Sequence, residues 1–212
     1  MSLTSSDAST SSNPVSRVFK VLFDTENGWR DMRSEHLEIT PVLLGHTIPF
    51  ALIAPLCGFY GTTVVGWSIG TGPHVKMTTG TALPITLLFF IATITAVLCV
   101  AKAIQWMAQT YCDPKPFGHC LALASYTATP LFLVGLAQLY PLLWLNLVVG
   151  LPALAYTVRL FYVGVPIMMD IDRERGFLFA TAALCFGLVT LVAMMVATVL
   201  LWGAGLAPEF TY

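Results

Sequence analysis

The sequence predicts an all-α, polytopic membrane helix bundle of five transmembrane helices, with the N-terminus cytoplasmic and the C-terminus outside. Three observations predict it. Of 212 residues, 57% are hydrophobic and only 10% charged, against about 45–50% and about 25% in ordinary globular domains. Mean hydropathy is +0.79 over the whole chain, which excludes a disordered chain and an ordinary soluble enzyme. Five apolar stretches reach the about 20 helical residues that a ~30 Å hydrocarbon core demands. The formal net charge of −1 leaves no basic stripe for nucleic acid.

The chain divides into a polar head (residues 1–40), a membrane domain (41–205) and a short external tail (206–212). Residues 1–13 carry no apolar run, so no secretory signal is visible, and they read as a flexible polar tail. Asn13-Pro14 is a helix cap with a first-turn proline. Val15, Val18, Phe19, Leu22 and Phe23 follow at helical spacing, with Arg17 and Lys20 between them. This short amphipathic helix is compatible with three placements: in the membrane interface, packed on the bundle, or holding a partner by its apolar face.

The five spans are Pro41–Trp67, Pro84–Gln109, Gly118–Gln138, Leu142–Met168 and Phe177–Trp202. Hydrocarbon offers the backbone no hydrogen bonds, so each is helical. Gly70-Thr71-Gly72-Pro73 is a turn; Asp113-Pro114-Lys115-Pro116 cannot continue a helix. Gln138 to Pro141 reads as a tight hairpin, and Asp170 to Gly176 as a polar loop. With the N-terminus inside, the cytoplasmic segments hold Arg17, Lys20, Arg30, Arg33, Lys115, Arg173 and Arg175, and the outer ones only Lys76, as the positive-inside bias requires. Trp67, Trp106, Trp144 and Trp202 fall near span ends, and Trp29 lies in the head.

Candidate chemistry is sparse. Lys102 and Arg159 lie within spans but nearer the cytoplasmic end; Lys102 is roughly 12 Å from it by helix rise. Both read as snorkelling or structurally paired, with Asp113, Asp170 and Asp172 as available partners, against the alternative of a solute path. His46 reads as an interfacial or hydrogen-bonded imidazole. No span contains Asp or Glu, which disfavours a proton relay. Cys112, His119 and Cys120 lack the spacing and the fourth ligand of a zinc site, so no metal is expected. The five cysteines read as small buried hydrophobes. Ser125 has no evident base, and no catalytic or cofactor motif occurs.

The most distinctive polar patch is Ser125-Tyr126-Thr127-Ala128-Thr129-Pro130 in mid-span. Pro130 cannot donate to the Tyr126 carbonyl, so the patch is a packed kink or a polar groove. Pro49, Pro55, Pro152 and Pro166 predict further bends. Gly58 and Gly61, Gly66 and Gly70, and Ala193 and Ala197 permit close helix contacts, within one chain or between copies.

These residues carry a family resemblance. Tyr126, Thr129 and Pro130, followed by Leu133 and Gly135, and then Tyr156, Leu160, Gly164 and Pro166 ahead of a charged loop and a last span, resemble the Yip domain. This is the membrane domain of Ypt/Rab-interacting proteins, and the likeness is greater to its bacterial inner-membrane branch of the YohC type. Thr127 stands where serine is usual, which keeps the hydroxyl. The head is similar too, with Pro14 ahead of Trp29 and Glu35. The acidic-Leu-Tyr-Gly-Pro signature of eukaryotic members is replaced by Glu38-Ile39-Thr40-Pro41, and their long cytoplasmic head is missing. Both departures point away from a Rab partner and toward the bacterial cytoplasmic membrane. The resemblance implies a five-span protein with a cytoplasmic N-terminus, no established catalytic activity and no cofactor. The expected function is non-enzymatic: organisation of the membrane, scaffolding of membrane partners, or self-association. The alternative is a small-solute permease or channel, for which Arg159 and Lys102 would favour an anion and Ser125, Tyr126, Thr129 and Arg159 would line the path.

Overall fold

A computed structural model describes residues 14–67, 75–206 and 210–211; the expected tail over 1–13 and the turn over 70–73 lie outside the described residues. The head forms two helices, α1 (Pro14–Phe23) and α2 (Thr25–Ser34). Pro14 occupies the first helical position, where no N–H is needed. α2 carries Glu26 in its first turn and Arg33 in its last, the signs that suit the two ends of a helix dipole.

Among the described residues four helices are long and apolar enough to cross a membrane: α3 (Ile39–Val65), α4 (Thr79–Tyr111), α7 (Leu143–Met169) and α8, which begins at Arg173 and extends to Leu201 before a wider final turn. The expected span Gly118–Gln138 is two helices, α5 (Phe117–Thr127) and α6 (Thr129–Leu139), joined at a 41° bend. Pro130 causes the break, since it lacks the donor for the Tyr126 carbonyl and its ring crowds that group. The expected loop over Asp170–Gly176 is shorter than its polarity suggested. α7 ends at Asp170 in the left-handed conformation (φ 57°), which aspartate tolerates, and Glu174 already lies in the first turn of α8.

Two wide, π-type turns interrupt α3, at Leu43–Thr47 and Gly61–Val65. The first precedes Pro49, which supplies no backbone donor, so the extra residue absorbs a defect that the sequence imposes. Two short strands, β1 (Lys76–Met77) and β2 (Phe210–Thr211), pair antiparallel. This ties part of the expected external tail to the segment between α3 and α4, and is a small exception to an all-helical chain.

α3 runs alongside α5 and α6 for its whole length. Gly118 lies against the Leu37 carbonyl, Thr47 against Ser125, Gly135 against Ala54, and Gly61 against the Gln138 carbonyl. A Cβ at Gly135 would stand 2.6 Å from that of Ala54, so glycine sets the helix separation there. The core gathers at one end, here the head end. Val18, Val21, Trp29 and Met32 of the head are buried with Ala101, Ile104 and Ala108 of α4, Leu121 and Leu123 of α5, Leu160, Val165 and Met168 of α7, and Ala180 of α8. Toward the far end Leu83, Leu87, Leu147, Leu151, Val189 and Val199 face outward, an apolar surface that only lipid or another apolar surface can cover.

Candidate functional site

The polar patch of α5 and α6 meets the first wide turn of α3. His46 and Thr47 are fully buried, as are Ser125 and Thr129, with Tyr126, Thr127 and Pro130 buried beside them. The His46 ring lies flat on the Tyr126 ring, with centroids 4.0 Å apart and planes 3° apart, and the Phe50 ring is tilted against it with centroids 4.5 Å apart. His46 Nε2 is 3.1 Å from Thr129 Oγ1. The Thr47 hydroxyl donates to the Val42 carbonyl (3.1 Å) and lies 2.7 Å from Ser125 Oγ. A hydroxyl has one proton, so Ser125 is the donor in that pair. The wide turn thus aims two polar side chains at the kink, and the kink answers each with a hydroxyl.

This arrangement is poor for catalysis. A serine nucleophile needs a base on its own hydroxyl, yet Ser125 spends its proton on Thr47 and His46 bonds Thr129. Thr127 Oγ1 makes no hydrogen bond among the described residues. Among those residues no three His, Cys, Asp or Glu side chains converge to hold a metal ion. Each interhelical hydrogen bond in a membrane stabilises by about 0.6 kcal/mol. The cluster therefore fixes geometry more than it contributes stability.

A second set of contacts fastens the head to the bundle. The Tyr156 hydroxyl donates to the Leu22 carbonyl at the end of α1. Gly164 admits Trp29: a Cβ there would stand 2.8 Å from Trp29 Cε2 and 2.9 Å from Leu123 Cδ1. Arg33 pairs with Asp170 at 2.8 Å. Arg17 pairs with Glu35, and its charge acts on Tyr126, so the head lies close to the same tyrosine on which His46 stacks. Pro166 packs against Gly176 at the start of α8.

Of the residues singled out in the sequence, Ser125, Tyr126, Thr129 and Pro130 come together around His46, while Tyr156, Gly164 and Pro166 line the seam between α7 and its neighbours. Arg159 joins neither group. It is exposed, 5.6 Å over the Tyr156 ring, beside a groove formed with the α1–α2 corner. Asp170, an expected partner for it, is taken by Arg33. Lys102 is also exposed; it donates to Gln105 at 2.8 Å and lies 5.6 Å over Phe117. Of the three placements open to the amphipathic helix, packing on the bundle is found for its Val18 and Val21 face, whereas Val15, Phe19 and Phe23 point outward. Trp29 is fully buried, unlike the exposed Trp106, Trp144 and Trp202.

Sequence reasoning missed Thr47 and the whole of α2. The signal for α2 was present: Thr25, Gly28, Trp29 and Met32, its buried residues, repeat at the spacing of one helix face. Thr47 had none, because a wide turn reorients side chains in a way that no periodicity announces.

The Yip1 domain model matches residues 19–204. The chain is 40% identical over 191 residues to inner membrane protein YohC of Escherichia coli strain K12, covering 90% of this chain and 98% of that protein. Inner membrane protein YohC of Escherichia coli O6:H1 matches to the same extent. No solved structure matches the chain significantly.

Proposed function

We propose a function from one premise: this chain belongs to the Yip1-domain family of integral membrane proteins. It is a multi-pass protein of the inner membrane, and we infer five crossings with the head on the cytoplasmic side. Side-by-side packing of α3 with α5 and α6, from Gly118 through Gly61, supports counting the bent pair as one crossing. The charge bias supports the orientation, since Arg17, Arg33, Lys115, Arg173 and Arg175 lie in or beside segments that meet at the head end.

The role proposed is non-enzymatic: a membrane-organising scaffold whose head and inner helix halves form one rigid wedge in the cytoplasmic leaflet. The observation that carries it is the split use of α1. Val18 and Val21 are locked into the core, while Val15, Phe19 and Phe23 stay outside, with Phe19 and Phe23 stacked at 6.1 Å. Aromatic residues held rigidly at the interface displace lipid from one leaflet more than from the other. A solute path has less support, because Arg159 stands apart from Ser125, Tyr126 and Thr129.

Reconstitution of the full chain into liposomes tests the reading. Wild-type protein is expected to narrow the vesicles seen by cryo-electron microscopy, and the double variant Phe19→Ser, Phe23→Ser to leave them at the protein-free diameter. Equal diameters with and without wild-type protein would refute the wedge.

A further inference from the structure

We propose that the groove between the α1–α2 corner and α7 binds the headgroup of one phospholipid, phosphatidylethanolamine, from the leaflet on the head side. The groove is open to the surface, with a volume of about 530 Å³, and Phe23, Asp24, Tyr156 and Arg159 line it. Arg159 makes no ion pair among the described residues; its neighbour is the Tyr156 ring. Asp24 makes none either, and accepts only the Asn27 amide, at 2.9 and 3.1 Å. The other charges close by are spent: Glu26 holds Arg30 at 2.9 Å and Lys20 holds Asp31 at 2.8 Å. One groove therefore carries a cation and an anion that make no ion pair among the described residues, with each other or with a neighbour; Lys20, which feels the Asp24 charge, is held by Asp31. The complement of such a pair is a dipolar ion.

Depth identifies the ion as a lipid headgroup. Trp144, exposed at the far end of α7, marks one boundary of the hydrocarbon. Arg159 lies fifteen residues on, roughly 22 Å along the helix. In a core of about 30 Å that leaves roughly 8 Å to the opposite boundary, where phosphates stand, a distance that a long arginine side chain can span. Phe23, 82% exposed, and Phe19 beside it offer the acyl chains an apolar wall. Arginine matches the phosphate, and the Asp24 carboxylate matches an ammonium that carries three N–H donors. A choline headgroup has the same charges but no donor for Asp24; a glycerol headgroup leaves Asp24 facing nothing positive.

The site rests on the interfacial placement of the head proposed above. The test uses the full chain in phosphatidylcholine nanodiscs containing a minor share of either phosphatidylethanolamine or phosphatidylglycerol. Lipid retained by the protein on release is counted by native mass spectrometry. Wild type is expected to retain phosphatidylethanolamine about tenfold over phosphatidylcholine, the scale of one charge-assisted hydrogen bond. Asp24→Asn should lose that tenfold, since Asp24 is the group that tells ethanolamine from choline, while sparing phosphatidylglycerol; Arg159→Gln should lower retention of all three lipids at the site by removing the phosphate contact, and Arg159→Lys should keep most of it. Equal retention of phosphatidylethanolamine and phosphatidylcholine by wild type, an unchanged ratio in Asp24→Asn, or unchanged phosphatidylethanolamine retention in Arg159→Gln, would overturn the proposal. So would a preference for phosphatidylglycerol, which would mark a simple anion site. Asp24 is exposed, so Asp24→Asn keeps the test decisive if Arg159→Gln misfolds. Loss of lipid preference with vesicle narrowing intact removes this site alone; loss of narrowing with lipid preference intact removes the wedge alone.

Discussion

Gly164 and Gly150 sit on the same helix in opposite circumstances. At Gly164 a methyl group would press on Trp29 and Leu123, both packed; at Gly150 nothing lies within 4 Å. Gly164→Ala is therefore expected to cost about 1–3 kcal/mol, as overpacking does, and Gly150→Ala nothing, or a slight gain from helix propensity. Thermal unfolding of the two variants in one detergent checks this, and equal melting temperatures would mean that Trp29 does not seat against α7. Tyr156→Phe removes the bond to the Leu22 carbonyl and should lower stability by about 1 kcal/mol. Gly164 and Tyr156 were both singled out in the sequence through a family pattern, but the pattern did not name their partners. Trp29 and Leu22 lie more than a hundred residues away, and a spacing rule on α7 cannot express a contact across that separation.

At the scale of elements, the long helices were legible because hydrocarbon imposes length and composition together, and neither depends on neighbours. The head was legible only in part. α1 announced itself by its apolar spacing, but which of its faces would be buried depended on where α7 and α2 came to rest. α2 is polar enough to pass for a loop, and its few buried residues become a face only once Trp29 has a pocket to enter. The structure makes both head helices part of the core, so the amides of α2 should exchange with deuterium as slowly as those of the head-end half of α7. Exchange at the rate of an isolated peptide would contradict that. For the same reason deletion of residues 1–40 should lower the melting temperature, because it empties the space of Trp29, whose side chain alone contributes on the order of 3–5 kcal/mol. The exposed phenylalanines of α1 are the cleaner handle on function.

For the whole molecule the decisive expectation is topological. Reporter fusions at residue 1 and residue 212 should lie on opposite faces of the inner membrane; termini on one face would mean that α5 and α6 dip in and return. The sequence supplied the charge bias behind this expectation, while the alignment of α3 with the bent pair could come only from three dimensions. The crowding of the core at the head end carries a consequence for lipid sorting by acyl length. The far halves of α4, α7 and α8 bury little of their surface, so they can splay or lean when the bilayer grows thicker or thinner, at a fraction of a kcal/mol per ångström. The head-end assembly need not move as they do so. Such a protein would hold its cytoplasmic face constant in membranes of different depth, with the mismatch taken up entirely at the opposite surface.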